Sequence, residues 1–255
     1  MGELWMFTAG SGIGKSTVVN EIGYDLLMRH GVKLGIMALE ESVRDSADRY
    51  IGIQLNKRVG LTRNGISQDQ YKKAWKTSLG NGKVWLFDHW GSTDIDNLMA
   101  KLRYMLVGLG VDFLILDHIS IVVSDLDTIG EGERRMLDVL MTRLRSLVEE
   151  TGKTIIAITH LKRSDKKYNE GGQVSLTDLR GSASIEQLSD VVVALERDQQ
   201  GENPNQAVIR TLKSRPTGRT GLADTIQYNP DTGRLLPVDE EALQHFERET
   251  DNDDF

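Results

Sequence analysis

The sequence predicts an α/β domain: a mostly parallel, twisted sheet with helices on both faces and hairpins along its C-terminal edge. Three observations carry that reading. Largely apolar runs recur at Leu4 to Phe7, Lys33 to Leu39, Val111 to Leu116 and Lys153 to Thr159, as expected of strands buried on both faces. Segments with apolar residues at helical spacing separate them as far as residue 188, which makes the connections crossovers. Beyond that point strand-like runs follow one another with only turn residues between, the pattern of antiparallel hairpins.

In chain order, Leu4 to Phe7 is the first strand, and a glycine-rich loop joins it to a helix from Val18 to Arg29. Lys33 to Leu39 is the second strand, ending at Glu40-Glu41, and Ser42 is placed to cap a helix from Val43 to about Leu55. The polar stretch from Lys57 to Gly82 carries a helical patch over Gln68 to Ser78, and Lys83 to Phe87 is a short strand. Ile95, Leu98, Met99, Leu102, Met105, Leu106 and Leu109 form one helical stripe, whose methionines read as core packing. Val111 to Leu116 is a strand ending in Asp117, Ser124 to Gly132 a loop, and Arg134 to Glu150 a long amphipathic helix. Lys153 to Thr159 is a buried strand ending at His160; a basic loop and a helix around Ser184 to Leu188 follow. Asp190 to Leu195, Ala207 to Leu212 and Ala223 to Tyr228 are the last long strands, and Asn229-Pro230-Asp231-Thr232-Gly233 turns the chain toward Leu235-Leu236.

The 255 residues divide into one large domain, 1–238, and an acidic, disordered tail, 239–255. The tail holds eight acids and one arginine, so it carries the whole net charge of −7. The body has 30 bases and 30 acids, and an acidic average therefore does not exclude a nucleic-acid partner. The absence of cysteine rules out a disulfide framework and a thiolate zinc site, and suits a reducing, intracellular setting. The five histidines are scattered, which argues against a structural metal site, and no apolar run is long enough to span a bilayer. No signal peptide precedes the first strand; the chain enters it almost at once, as a domain excised from a longer protein would.

Ala9-Gly10-Ser11-Gly12-Ile13-Gly14-Lys15-Ser16-Thr17 lies between a strand and a helix, the arrangement of the phosphate-binding loop of nucleoside triphosphatases. Gly10, Gly12 and Gly14 let backbone N–H groups converge on an anion in front of a helix N-terminus. Lys15 supplies charge for the outer phosphates, and the Ser16 hydroxyl is placed for magnesium. Ala9 stands where the pattern has its first glycine. Asp117, after an apolar strand, fits the second carboxylate of such sites, holding magnesium through water opposite Ser16. Hydrolysis also needs a group to orient and deprotonate water. Glu40 and Glu41 both qualify, and side-chain alternation along a strand favours Glu40. His160 ends the strand expected between those leading to Lys15 and Asp117, where it can touch the terminal phosphate and report its loss. The basic segment Leu161 to Tyr168, with Lys162, Lys166 and Lys167, and the stretch Arg180-Gly181-Ser182 read either as solvated loops or as grips on a polyanion; adjacency to His160 favours the second. Lys213-Ser214-Arg215 lies too far along the fold to reach its own nucleotide easily and could serve as an arginine finger for a neighbouring subunit.

GSGIGKST, LEES, LILDHIS, ITHLKR, TDLRGSASIEQLSD and LKSRPTG resemble, in order and spacing, the motifs of the DnaB superfamily of ring helicases. The likeness is closest to the C-terminal helicase domains of the T-seven-type phage primase–helicases (the gene-four proteins), and the chain is also similar to the mitochondrial Twinkle helicases. This resemblance runs the length of the chain. It implies a RecA-like P-loop fold that assembles as a homo-hexameric ring, threads single-stranded DNA and moves 5′ to 3′ by Mg2+-dependent NTP hydrolysis, unwinding the duplex during replication. It implies nucleotide contacts from Ser11, Gly12, Ile13, Gly14, Lys15, Ser16 and Thr17, a catalytic base at Glu40, magnesium at Ser16 and Asp117, and a γ-phosphate sensor at His160. Arg215 matches a finger donated in trans, with Lys213 beside it; Arg197 and Tyr228 match residues that sandwich the base, and Arg58 another nucleotide contact. Stacking does not choose between ATP and dTTP. The DNA loops map to Lys162 to Tyr168 and Arg180 to Gln187, with Lys162, Lys166, Lys167 and Arg180 as DNA contacts. Tyr168 and Glu186 stand where the phage pattern has lysine and arginine, lowering the charge of the pore. The tail ending in Phe255 matches a segment that docks the replicative DNA polymerase; a solubilising tail is the other reading. The family's N-terminal primase half and its linker helix have no match here, so ring assembly by these residues alone is expected to be weak and concentration-dependent. The resemblance places the protein in the cytoplasm of an infected bacterial host, with no membrane partner. A RecA-type filament protein, gated by nucleotide but without unwinding, is the alternative.

Overall fold

A computed structural model describes residues 2–59, 65–87, 94–119, 131–162, 166–180 and 182–238. Its elements are β1 (Leu4–Ala9), α1 (Lys15–His30), β2 (Leu34–Ala38), α2 (Val43–Leu55), α3 (Gln68–Ser78), β3 (Val84–Leu86), α4 (Ile95–Arg103), β4 (Phe113–Asp117), α5 (Glu131–Thr151), β5 (Thr154–His160), α6 (Ser182–Leu188), β6 (Val191–Glu196), β7 (Gln206–Ser214), β8 (Gly221–Tyr228) and β9 (Leu235–Pro237). Among the described residues these strands form one sheet in the order β3-β2-β4-β5-β1-β6-β7-β8-β9. The strands from β3 to β6 pair in parallel and the last three add antiparallel. The expected parallel sheet with an edge of hairpins is therefore present. The acidic tail, and most of the loop expected over Ser124 to Gly132, lie outside the described residues.

The apolar runs make strands because both faces are covered. α1 and α2 pack on one face, α4 and α5 on the other. Successive residues show the alternation: Leu34 points toward α1, whereas a Cβ on Gly35 would lie 2.8 Å from Met105 on the opposite side. Gly23 brings α1 hard against the sheet, since a Cβ there would meet the Tyr50 hydroxyl at 2.6 Å and Ile115 at 2.7 Å. Ser42 caps α2 as its sequence position suggested, accepting from the Asp45 N–H at 3.1 Å.

The stripe from Ile95 to Leu109 is not one α-helix. α4 gives way to a π-helical turn over Tyr104–Gly108, closed by the Leu109 N–H on the Tyr104 carbonyl at 3.0 Å. Met105 and Leu106 face the core while Tyr104 and Val107 stay exposed, so the apolar stripe continues through the wider turn. The methionine Met105 is core, as expected.

Register aligns the carboxyl ends of the central strands. Ala9 of β1 pairs with His160 of β5, and Ala38 of β2 pairs with Asp117 of β4. The loops carrying Glu40, Asp117, His160 and Lys15 thus leave four consecutive strands, β2-β4-β5-β1, at one edge of the sheet.

Candidate nucleotide site

The glycine loop after β1 has the backbone that its sequence demands. Gly12 sits at φ 74° and Gly14 at φ 114°, the left-handed region where a side chain is strained, and Gly14 is the N-cap of α1. Ile13 is buried and pins the loop's crest. The Lys15 ammonium donates to the carbonyls of Ala9 at 3.1 Å and Gly10 at 3.3 Å. Burial lowers its pKa, opposed by the nearby carboxylates of Asp117 and Glu40. Such an ammonium gains most from an added anion.

Asp117 is 7% exposed and hydrogen-bonded by Ser16. Burial raises its pKa, with the Ser16 bond and His118 opposing and Glu41 and Glu40 adding to the rise. A buried carboxylate beside a hydroxyl at the foot of a phosphate loop is a hard-oxygen donor set that suits magnesium.

Glu40 and Glu41 both lie beyond the end of β2, so strand alternation is not what separates them. Partners do. Glu41 is held by Arg49 at 2.5 Å and by the Ser46 hydroxyl at 2.7 Å, on α2. Glu40 turns the other way, its Oε1 against the His118 Nε2, with the His160 Nε2 at 4.0 Å. The two imidazoles meet edge to face, Nε2 to Nε2 at 2.6 Å. His160 is pushed down to about 4, chiefly by burial and then by His118 and Lys15, so it is neutral at physiological pH. His118, 3% exposed, is the member of the cluster that sequence reasoning did not single out; its signal was a second polar residue directly after a strand-ending aspartate. The three groups could be taken for a metal centre. Their close contacts are shorter than the edges of a zinc tetrahedron, about 3.3 Å for bonds near 2.0 Å, and fit a hydrogen-bonded chain.

Arg197 and Tyr228, which the resemblance implies sandwich a base, lie directly against each other: the guanidinium is 5.2 Å from the ring centre, steadied by the Pro204 carbonyl at 2.5 Å and Asn205 at 2.9 Å. Gln199 ties this segment to the Gly12 carbonyl at 3.2 Å. A cavity of about 260 Å³ runs from Thr17 to Tyr228 and includes Arg58 in its wall. The structure thus joins Arg58, Tyr228 and the end of the glycine loop in one space.

Lys213 and Arg215 are elsewhere. Lys213 donates to the carbonyls of Glu186 and Ser189, the latter at 2.6 Å, and burial lowers its pKa. Arg215 donates to the Gln187 carbonyl at 2.7 Å and to Asp190 at 3.0 Å. Asp190, buried, also accepts from Arg145 at 2.6 Å and from the Leu4 N–H at 2.8 Å. That places Arg215 at the start of β1, the end opposite the glycine loop.

The basic loops are wired to His160. Its carbonyl accepts from the Arg180 N–H at 3.1 Å, and Leu161 bridges Leu179 in the next rung. Lys162 and Lys166 reach across to the same 3-10 turn, Leu176–Asp178, at Thr177 and Asp178, 2.9 and 2.8 Å away. Lys167 pairs with Glu170 at 2.7 Å. Residues 163–165 and 181 lie outside the described residues. Tyr168 is 9% exposed and packs against the glycine loop, where a Cβ on Gly10 would lie 2.8 Å from its own. Its charge-neutral side chain is part of the buried core beside the loop.

The sequence profile of the DnaB-like helicase C terminal domain matches residues 1–234. The chain is 43% identical over 244 residues to the DNA helicase/primase of Enterobacteria phage T3, covering 92% of this chain and 42% of that protein. It is 23% identical over 236 residues to the replicative DNA helicase DnaB of Geobacillus stearothermophilus, covering 89% and 51%. The chain thus spans about half the length, or less, of these relatives. Among solved structures it is similar to an ATPase domain with which it superposes at a TM-score of 0.74 and 18% identity, over 93% of this chain and 85% of that one. A DnaB-like replicative helicase studied for its interactions with primase superposes with a TM-score of 0.75 at 16% identity, over 93% and 58%. These likenesses show the fold, that of RecA-like ATPase domains.

Proposed function

We propose that this chain, which belongs to the DnaB-like helicase C-terminal domain family, is the NTP-driven motor of a phage replicative DNA helicase. The observation that carries the proposal is the convergence of Glu40, Asp117, His160 and Lys15 at four consecutive strand ends. The N–H groups of Ser11 to Thr17 and the Lys15 ammonium bind the phosphates. Ser16 and Asp117 would hold magnesium, whose charge, when bound, offsets that of the outer phosphates. Glu40 orients a water and takes its proton as it attacks the γ-phosphorus, and His160 contacts the γ-phosphate. Arg197 and Tyr228 flank the base and Arg58 contacts the nucleotide from the cavity wall; a ring face accepts any base, so either dTTP or ATP fits. Arg215, with Lys213, completes the site of the next subunit in a hexameric ring.

Lys162, Lys166, Lys167 and Arg180 grip single-stranded DNA, and the bonds from His160 to their loops let the grip follow nucleotide state. Ring translocation runs 5′ to 3′ and unwinds the duplex. The acidic tail ending in Phe255 docks the replicative polymerase, a primase module works with this one, and the site of action is the host cytoplasm. Among the described residues no helix is long and apolar enough to cross a membrane.

The test is steady-state hydrolysis of ATP, dTTP and the other NTPs with and without single-stranded DNA. DNA-stimulated turnover that Glu40→Gln slows by about 100-fold or more, with nucleotide binding retained, is the expected result; a DNA-independent rate in an assembled ring refutes the motor. The RecA-like fold also suits a filament without unwinding, and electron microscopy separates closed six-fold rings from open helices.

A further inference from the structure

His118 has no task in the reaction just described, yet it is the most buried member of the cluster and touches two of the groups that do. Its Nε2 faces both the Glu40 Oε1 and the His160 Nε2, the latter at 2.6 Å. Its Nδ1 is buried and has no hydrogen-bond partner among the described residues.

When the ring carries a single N–H, this geometry decides where it sits. A proton on Nδ1 would bury a donor with nothing among the described residues to accept it and leave the Nε2 lone pair facing a carboxylate oxygen. A proton on Nε2 satisfies both contacts and leaves only a bare acceptor at Nδ1. His118 is therefore the donor, and the His160 Nε2 is an acceptor. A singly protonated His160 then carries its own proton on Nδ1.

We propose that His118 is a positioning residue that divides one N–H between the general base, Glu40, and the phosphate sensor, His160, and so links the two. The proposal rests on the functional reading above, which supplies the roles of Glu40 and His160. A phosphate oxygen accepts hydrogen bonds, and the His160 Nε2 offers none while His118 donates to it. To hold a γ-phosphate, His160 must turn away or change tautomer. Either event releases the His118 N–H wholly to Glu40, and the carboxylate is fixed when there is a phosphate to attack. Once the phosphate leaves, His160 competes again and Glu40, 54% exposed, is free to swing. No proton leaves His118 at any point. The device acts through hydrogen-bond geometry alone.

Two measurements test this. In 15N-histidine-labelled wild-type protein, long-range 1H–15N spectra read the tautomers without reference to turnover. The expected result is His118 protonated at Nε2 and His160 at Nδ1; His118 protonated at Nδ1 overturns the proposal even if hydrolysis proceeds as described. In steady-state hydrolysis with single-stranded DNA, His118→Phe, which keeps the buried volume but removes the donor, should lower kcat by about 10- to 100-fold, with KM and fluorescent-nucleotide affinity near wild type. His118→Gln, whose amide N–H reaches the same point, should restore most of the rate. In a Glu40→Gln background, already slowed by about 100-fold or more, His118→Phe should add little. A full multiplicative loss in that background, or Gln no better than Phe in proteins with equal melting curves, overturns the proposal. Retained turnover in Glu40→Gln alone would instead sink the functional reading, and the tautomer result would stand apart from it.

Discussion

Mixing two inactive variants tests whether Arg215 completes a neighbour's site. Arg215 is anchored at Asp190, beside Leu4 at the start of β1, whereas Lys15 follows the other end of that strand. A strand of this length spans roughly 20 Å, beyond the reach of a side chain, so an Arg215 that acts on phosphate acts on another subunit's. Lys15→Ala removes the phosphate charge from its own site and Arg215→Ala removes the finger; the second alone should slow turnover by about 1,000-fold or more. In an equal mixture, an interface is whole when its glycine loop comes from the arginine variant and its arginine from the lysine variant. Random assembly into closed rings makes that about one interface in four. Phosphate release per subunit, measured at micromolar protein with Mg2+, NTP and single-stranded DNA, should recover toward about a quarter of the wild-type rate if interfaces act independently. Sequential firing around the ring lowers that figure but leaves it far above either variant. A mixture no faster than the mean of the two variants refutes the trans assignment. Misfolding does not confuse the result: Asp190 keeps Arg145 and the Leu4 N–H, so Arg215→Ala should cost only about 1 kcal/mol of stability, read by thermal unfolding.

Glu41→Gln should leave turnover near wild type while weakening the hold of Arg49 and Ser46, at a cost of about 1 kcal/mol by urea unfolding; a loss of turnover matching Glu40→Gln would exchange the roles of the two acids. His160 binds its proton only near pH 4 when folded, against about 6.5 when unfolded, so between those values the unfolded state holds more protons. Stability should therefore fall as pH drops from 6.5 toward 4 and be flat above, and His160→Asn should lose that part of the slope; a wild-type-minus-variant difference that stays constant from pH 7.5 to 4.5 contradicts the burial argument. Arg180→Ala should weaken binding to single strands of any sequence and reduce the salt slope of log K by about 0.7, the increment for one lost phosphate contact; an unchanged slope in fluorescence anisotropy would remove Arg180 from the DNA interface.

Much of the fold was legible because the signals are local. α2 and α3 run over the residues their caps and periodicity mark, Val43–Leu55 and Gln68–Ser78. The glycine loop declares itself by φ values that Gly12 and Gly14 alone can adopt without strain. The π-turn at Tyr104–Gly108 was not legible, since the apolar stripe keeps α-helical spacing straight through it. The roles of Arg58, Arg197 and Tyr228 were implied by resemblance and not by spacing; their meeting depends on loops far apart in the chain.

The residues by themselves determined the elements, the phosphate loop and the set of polar groups at the strand ends, because each follows from neighbours a few positions away or from the alternation of strand and helix. Only the tertiary structure gave Glu40 and Glu41 different partners, set His118 against Glu40 and His160, buried Tyr168 beside the glycine loop, and tied Arg215 to the far end of β1. Each of those outcomes depends on which distant partner a side chain meets: Arg49 for one acid, an imidazole for the other, a missing Cβ at Gly10, a buried carboxylate at Asp190. Sequence spacing is blind to such pairings, since they are set by register and packing across the sheet.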